Sequence, residues 1–266
     1  MAWSDLVAWT KDMALSVANL TKYIVDNLNY LKGKAGEVEI ENFDYQAFLP
    51  YFPLTLVPKQ VKALMKKNIL SGKINRLSLR YSETFPDSPQ ASSGKKSTTI
   101  EGDLSFRNFS LSIFDDLPHI KHLAGKINFK NGELTISKLT GFFGNSEIKS
   151  GNISLSKASF LNISGDLKLD LFEVGKLLHS QRIPTCARKH LIKIESISGK
   201  ALLTLDASGT LNDLKSLAFE GKLKLLNTSL DYKPFRKTGK GLRGTIRFTP
   251  YTIKTDNLSG WWADSP

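Results

Sequence analysis

Few residues in this sequence stand at spacings that could do chemistry. Gly239-Lys240-Gly241-Leu242-Arg243-Gly244 reads literally as the G-x-G-x-x-G of a dinucleotide fingerprint. That loop must follow a strand and open a helix, so that backbone N–H groups meet a pyrophosphate. Here the alternation from Leu242 to Phe248 places the glycines before a strand, which argues against nucleotide binding. Ser93-Gly94-Lys95-Lys96 and Ser154-Leu155-Ser156-Lys157 match the S-x-x-K of a serine nucleophile and its lysine. The first lies in a low-complexity stretch and the second in a strand pattern. Cys186 and His190 stand four apart with His179 nearby. Lacking a second cysteine or a carboxylate cluster, they make a poor zinc set, and a basic turn explains them better. Phe106-Arg107-Asn108-Phe109 interleaves aromatic and basic residues but lacks the aromatic platform of an RNA-binding sheet. No catalytic, cofactor-binding or metal-binding residue is expected, and the chain is expected not to be an enzyme.

Composition bounds what else it can be. The chain has 266 residues, 41% of them hydrophobic, enough for one large or two small domains. Mean hydropathy is −0.20, and no run approaches the roughly 18 apolar residues of a spanning helix. Residues 1–30 lack the basic start, apolar core and small-residue cleavage site of a signal peptide. The single cysteine excludes an intrachain disulfide. A net charge of +12 points to an anionic neighbour: phospholipid headgroups, lipopolysaccharide or nucleic acid. A plainer explanation is that Lys126, Lys130, Lys222 and Lys224 alternate along strands, keeping a solvent face wet and discouraging edge pairing.

The elements that would position any site are organised by a repeat. Gly102 to Ser146 overlays Gly221 to Ser265 without a gap, at a constant offset of 221 − 102 = 119. Thirteen of the 45 positions are identical, among them Gly102/Gly221, Leu104/Leu223, Asn108/Asn227, Leu123/Leu242, Gly125/Gly244, Ile127/Ile246 and Phe129/Phe248. Ordinary residue usage gives roughly three by chance. One structural unit is thus used twice. Leu123, Ile127 and Phe129 fall on one face and Lys126, Asn128 and Lys130 on the other, the period of a half-buried strand. Asn131-Gly132 then favours a tight hairpin turn. In the second copy Pro250-Tyr251 replaces it, so that turn must be of another type.

The remaining segments read as follows. Leu6, Met13, Val17, Leu20, Ile24, Leu28 and Leu31 form one apolar stripe of a helix over 5–31. Packing across a sheet is one use for it, and lying on a membrane surface is another. Glu37 to Ile40 reads as a short strand, and Gly72 to Tyr81 as a strand with one slip, hence a bulge. Asn152 to Leu155, Gly165 to Leu171, Gly199 to Ser208 and Ser216 to Gly221 are further strands. A short helix starts near Asp170, with Glu173 at capping-box spacing, and residues 185–191 add a turn. Almost no crossover helices separate the strands, so the sheet should be mainly antiparallel.

This pattern resembles the AsmA-like family of bacterial envelope proteins, the TamB- and YhdP-type repeating β-groove lipid-transfer proteins. The family elements are Gly102 to Phe106, Leu117-Pro118, Gly125 to Phe129, and Leu139 to Ser146. The resemblance implies a mainly β fold, an elongated, curved antiparallel sheet with a few amphipathic helices. The expected division is an amphipathic helix over 1–36, then a first β unit over 37–100 with a helix at 58–68 and a flexible loop at 82–99. Copy one covers 101–150, intervening strands and short helices 151–220, and a truncated copy two 221–266. Leu104, Phe106, Ile127, Phe129, Leu167, Leu169, Leu203, Leu205, Leu223, Leu225, Ile246 and Phe248, with Leu155, form an apolar face that is either ordinary core or an open groove for acyl chains. In the second case the function is phospholipid transfer between inner and outer membranes, in the periplasm. The chain would then be an internal piece of an inner-membrane-anchored protein. Expected partners are phospholipid acyl chains, a membrane surface and other envelope proteins, with no cofactor and no nucleic acid. Two rivals stay open: an assembly module for outer-membrane proteins that carries no lipid, and a basic nucleic-acid-binding β domain.

Overall fold

The computed structural model describes residues 35–48, 68–84, 97–112, 118–130, 133–156, 160–178, 193–210, 218–235 and 237–262. The expected helices over 5–31 and 58–68 (Asn68 excepted), the Asn131-Gly132 turn, the turn at 185–191, Ser93 to Lys96, and His179, Cys186 and His190 lie outside them. The fold is mainly β, as expected. Eleven strands follow one another in chain order in the sheet. They are β1 (Ala35–Asp44), β2 (Ile69–Thr84), β3 (Ser97–Leu111), β4 (Ile120–Lys130), β5 (Glu133–Phe143) and β6 (Ser146–Leu155), then β7 (Phe160–Asp170), β8 (Ile194–Thr210), β9 (Ala218–Tyr232), β10 (Lys237–Phe248) and β11 (Ile253–Trp262). Among the described residues there are two short α-helices, α1 (Tyr45–Phe48) and α2 (Leu171–Leu178), and a 3-10 turn at Lys233–Phe235. None is long and apolar enough to cross a membrane.

The chain divides into two compact units, one holding β1 to β4 and the other β7 to β11. In the first, neighbouring strands pair antiparallel. Tyr45, Ile74, Phe106, Phe109, Leu111, Leu123 and Phe129 are its buried apolar side chains. Phe106 and Phe109 stand three apart, a spacing that alternation would send to opposite faces. Asn108 adopts φ 54° and the β3–β4 register slips between them. This bulge returns both rings to one face, where they meet edge-on at 5.2 Å and Tyr45 packs 5.7 Å from Phe109. The aromatic-basic motif is therefore core, with Arg107 and Asn108 exposed. The slip expected in β2 is also a bulge, between Ile74 and Arg76. The loop expected over 82–99 is strand-paired at both ends, Ser82↔Thr99, Glu83↔Thr98 and Thr84↔Ser97, and residues 85–96 lie outside the described residues.

In the second unit β7 to β11 also pair antiparallel. Helix α2 follows β7 and packs on the sheet. Leu171, Ala201, Leu225 and Leu242 form a buried cluster, with Leu169, Val174, Ile197, Leu223, Leu230 and Ile246 against it. Asp170 caps the helix, its Oδ1 accepting from Phe172 N at 3.1 Å. The capping box does not close. Ser146 Oγ accepts the Asp170 N–H at 3.0 Å, and Glu173 Oε2 accepts from Asn145 N at 2.7 Å. The carboxylate thus ties the helix to the Gly144-Asn145 turn instead of to its own first turn. Gly144 has φ +57°, and a Cβ there would lie 2.1 Å from Glu173 Oε2.

The repeat is structural. Of the eight pairs joining β3 to β4, seven recur between β9 and β10 when 119 is added to each number. The left-handed positions recur too: Asn108/Asn227, His122/Gly241 and Lys138/Asn257 all have φ between 51° and 67°. Gly125 pairs with Phe106 and Gly244 with Leu225, which are counterparts. The G-x-G-x-x-G run does not precede a strand, as alternation suggested, but lies inside β10. There Gly241 takes φ +63° at a register shift against β9, and Gly244 takes φ +140° at one against β11, where a bulge needs each.

Candidate functional site

Register decides which of the twelve apolar candidates meet. In the first unit Leu104 lies opposite Ile127, Phe129 opposite Gly102, and Phe106 opposite Gly125. Alternation then puts all four side chains on one face. In the second unit Leu167, Leu203, Leu223 and Ile246 form one unbroken cross-strand row. Leu169, Ala201, Leu225 and Gly244 form the next row on one side, and Gly165, Leu205, Gly221 and Phe248 the next on the other. The eight candidates of this unit share a face as well. Alternation in sequence had not assigned Ile40, Leu77 and Phe219 to these faces, yet Ile40 and Leu77 extend the Leu104 row, and Phe219 stacks 6.3 Å from Phe248. Their signal was the spacing Phe219-x-Gly221-x-Leu223, and for Leu77 the slip that hid its alternation with Ile74.

Burial separates core from open face. Phe106, Phe129 and Leu225 are buried. The other nine candidates are half-buried. Leu225 lies in the α2 cluster, with Leu169, Leu223 and Ile246 packed against it, so this end of the face is core. Leu167, Leu203, Leu205 and Phe248 carry the face onward outside that cluster, still partly exposed. Along it, glycines stand beside large side chains. The Phe248 ring covers Gly221, where a Cβ would lie 2.2 Å from the ring, and Phe129 covers Gly102 at the same 2.2 Å. In each unit large residues over glycines thus fill the face, and on β11 Thr255 follows Ile246.

The opposite face carries the charge. Asp166 accepts from Thr204 Oγ1 at 2.8 Å and from Ser150 Oγ at 3.1 Å. Asn128 Nδ2 donates to Asp103 Oδ1 at 2.7 Å, and Arg80 Nε lies 2.8 Å from Glu37 Oε1. Between β8 and β10, hydrogen bonds from Ser196 and then Thr238 hold the Asp231 carboxyl below its usual range. Among the described residues of these three rows there is no ionisable side chain. The family model described as YhdP protein matches residues 3–266. No curated protein and no solved structure matches the chain.

Proposed function

The chain belongs to the YhdP protein family, an envelope protein family, and from that premise we propose that it holds phospholipid acyl chains on its apolar sheet face and passes them between the inner and outer membranes. It acts in the periplasm, without enzymatic chemistry, as part of an inner-membrane-anchored protein. One observation supports this reading above the others. Leu167, Leu203, Leu205 and Phe248 continue an apolar face beyond the helix that covers Leu225, and they stay partly exposed. A sheet must bury such a face against something. Acyl chains suit it, because an uncharged apolar surface binds methylene groups without needing directional partners.

The test compares groove and core within the same face. Phe248→Asp and Leu205→Asp place a charge on the half-exposed part, which can hydrate when empty. Leu225→Asp places one beneath α2, where an unpaired charge is costly. Leu225→Asp is expected to lower stability by several kcal/mol. The two groove variants should keep their melting transition and lose co-purifying phospholipid by mass spectrometry. Phospholipid retained in both, or unfolding of both, removes the case for a conduit.

A further inference from the structure

We propose that the end of the β10–β11 hairpin docks on an anionic phospholipid bilayer, with Tyr251 and Ile253 among the headgroups and Lys222, Arg247 and Lys254 against phosphates. This goes beyond the groove, since docking requires no acyl chain on the sheet face. Lys222 lies directly opposite Arg247, and Arg247 directly opposite Lys254. Like charges facing one another across strands destabilise a sheet. Among the described residues the sheet offsets this repulsion at Arg247 alone. Arg247 Nε sits 2.8 Å from Asp256 Oδ2, a close ion pair rather than an aligned hydrogen bond. No ion pair to Lys222 or Lys254 is found among the described residues.

The internal repeat provides the comparison. The counterparts of Lys222, Arg247 and Lys254 are Asp103, Asn128 and Thr135, with Asn128 hydrogen-bonded to Asp103. Copy one's own lysines there, Lys126 and Lys130, become Thr245 and Thr249 in copy two, and Lys130 is paired to Glu101. Copy two thus sets three cations in one row near the hairpin end where copy one has none. The turn changed with them. Asn131-Gly132 became Pro250-Tyr251, in a loop closed by Thr249 N donating to Thr252 O at 2.9 Å. Tyr251 is 91% exposed and Ile253 74%. Ile253 lies opposite Phe248 and so continues the apolar face, while the cations lie on the other face, and the two meet at the hairpin end beside Tyr251. An apolar and aromatic tip flanked by cations is the composition that sits at a lipid headgroup boundary.

The test uses the 266-residue chain with phosphatidylglycerol or phosphatidylcholine vesicles in a sedimentation assay. Binding to phosphatidylglycerol that weakens with salt, and little to phosphatidylcholine, is the expected result. Lys222→Asp with Arg247→Asn installs the copy-one residues at the same register. It should weaken phosphatidylglycerol binding at least about 25-fold, at about fivefold per cation near an anionic surface. Lys126→Asp with Lys121→Asn carries the same change of charge elsewhere and should leave binding unchanged. Tyr251→Trp adds a reporter at the tip, whose extra emission should shift to the blue on phosphatidylglycerol vesicles. Each of several outcomes overturns the proposal: equal binding to both vesicles, equal losses in the two charge variants, or no emission shift. Preference for duplex DNA over phosphatidylglycerol at equal phosphate would also do so, assigning the row to nucleic acid. Should the first variant fail to fold, the salt dependence and the Tyr251→Trp emission still decide.

Discussion

At the scale of single residues, the repeated glycines act through contact. Gly102 and Gly221 need no left-handed φ, yet each lies under a phenylalanine ring that a Cβ would strike at 2.2 Å. Overpacking of this kind costs about 1–3 kcal/mol. Gly221→Ala should therefore destabilise the chain by that amount in urea denaturation. Adding Phe248→Leu should recover part of the loss, because the side chain that must move is then smaller. Full additivity of the two changes would show that the ring and the glycine are not coupled.

At the scale of elements, α2 separates covered from uncovered face, and its anchoring comes from far along the chain. Ser146 is 3% exposed and accepts the Asp170 N–H, while Asp170 caps the helix. Ser146→Ala leaves that N–H without its partner, at a cost of about 1–3 kcal/mol. Asp170→Ala removes the cap, at about 1 kcal/mol. Both should lower the melting temperature and speed amide exchange in Leu171–Leu178. Unchanged exchange in the helix would mean that packing of Leu171 and Val174 alone holds it.

At the scale of the molecule, one strand pair is used twice with its register, bulges and glycine contacts intact. Replacing residues 102–129 by 221–248 conserves length and seven of the eight β3–β4 pairs. The chimera loses Phe106 and Phe109, which become Leu and Thr, and with them the Phe106–Phe109 and Phe109–Tyr45 ring contacts. It should fold, with a β-type circular dichroism spectrum and one melting transition at a lower temperature. Loss of the β signal would show that the copies are not interchangeable.

Alternation was enough to read most of the strands and the one-sidedness of Leu104, Ile127, Leu223 and Ile246, because a period of two is local and survives in the residue order. The constant offset carried the equivalence of Gly125 with Gly244, and the lack of crossover helices carried the antiparallel pairing. Other features needed the third dimension, because each depends on residues distant in sequence. Leu225 and Phe248 look alike in sequence, and only α2 makes one core and leaves the other partly open. Glu173 had capping-box spacing, but Ser146, 24 residues before Asp170, took the N–H it would have received. Phe106 and Phe109 share a face only because a bulge intervenes, and bulges are set by the mismatch between two strands. The cationic row behaves likewise: Lys222, Arg247 and Lys254 are scattered singly along the chain, and only register sets them side by side, where their repulsion becomes a physical fact.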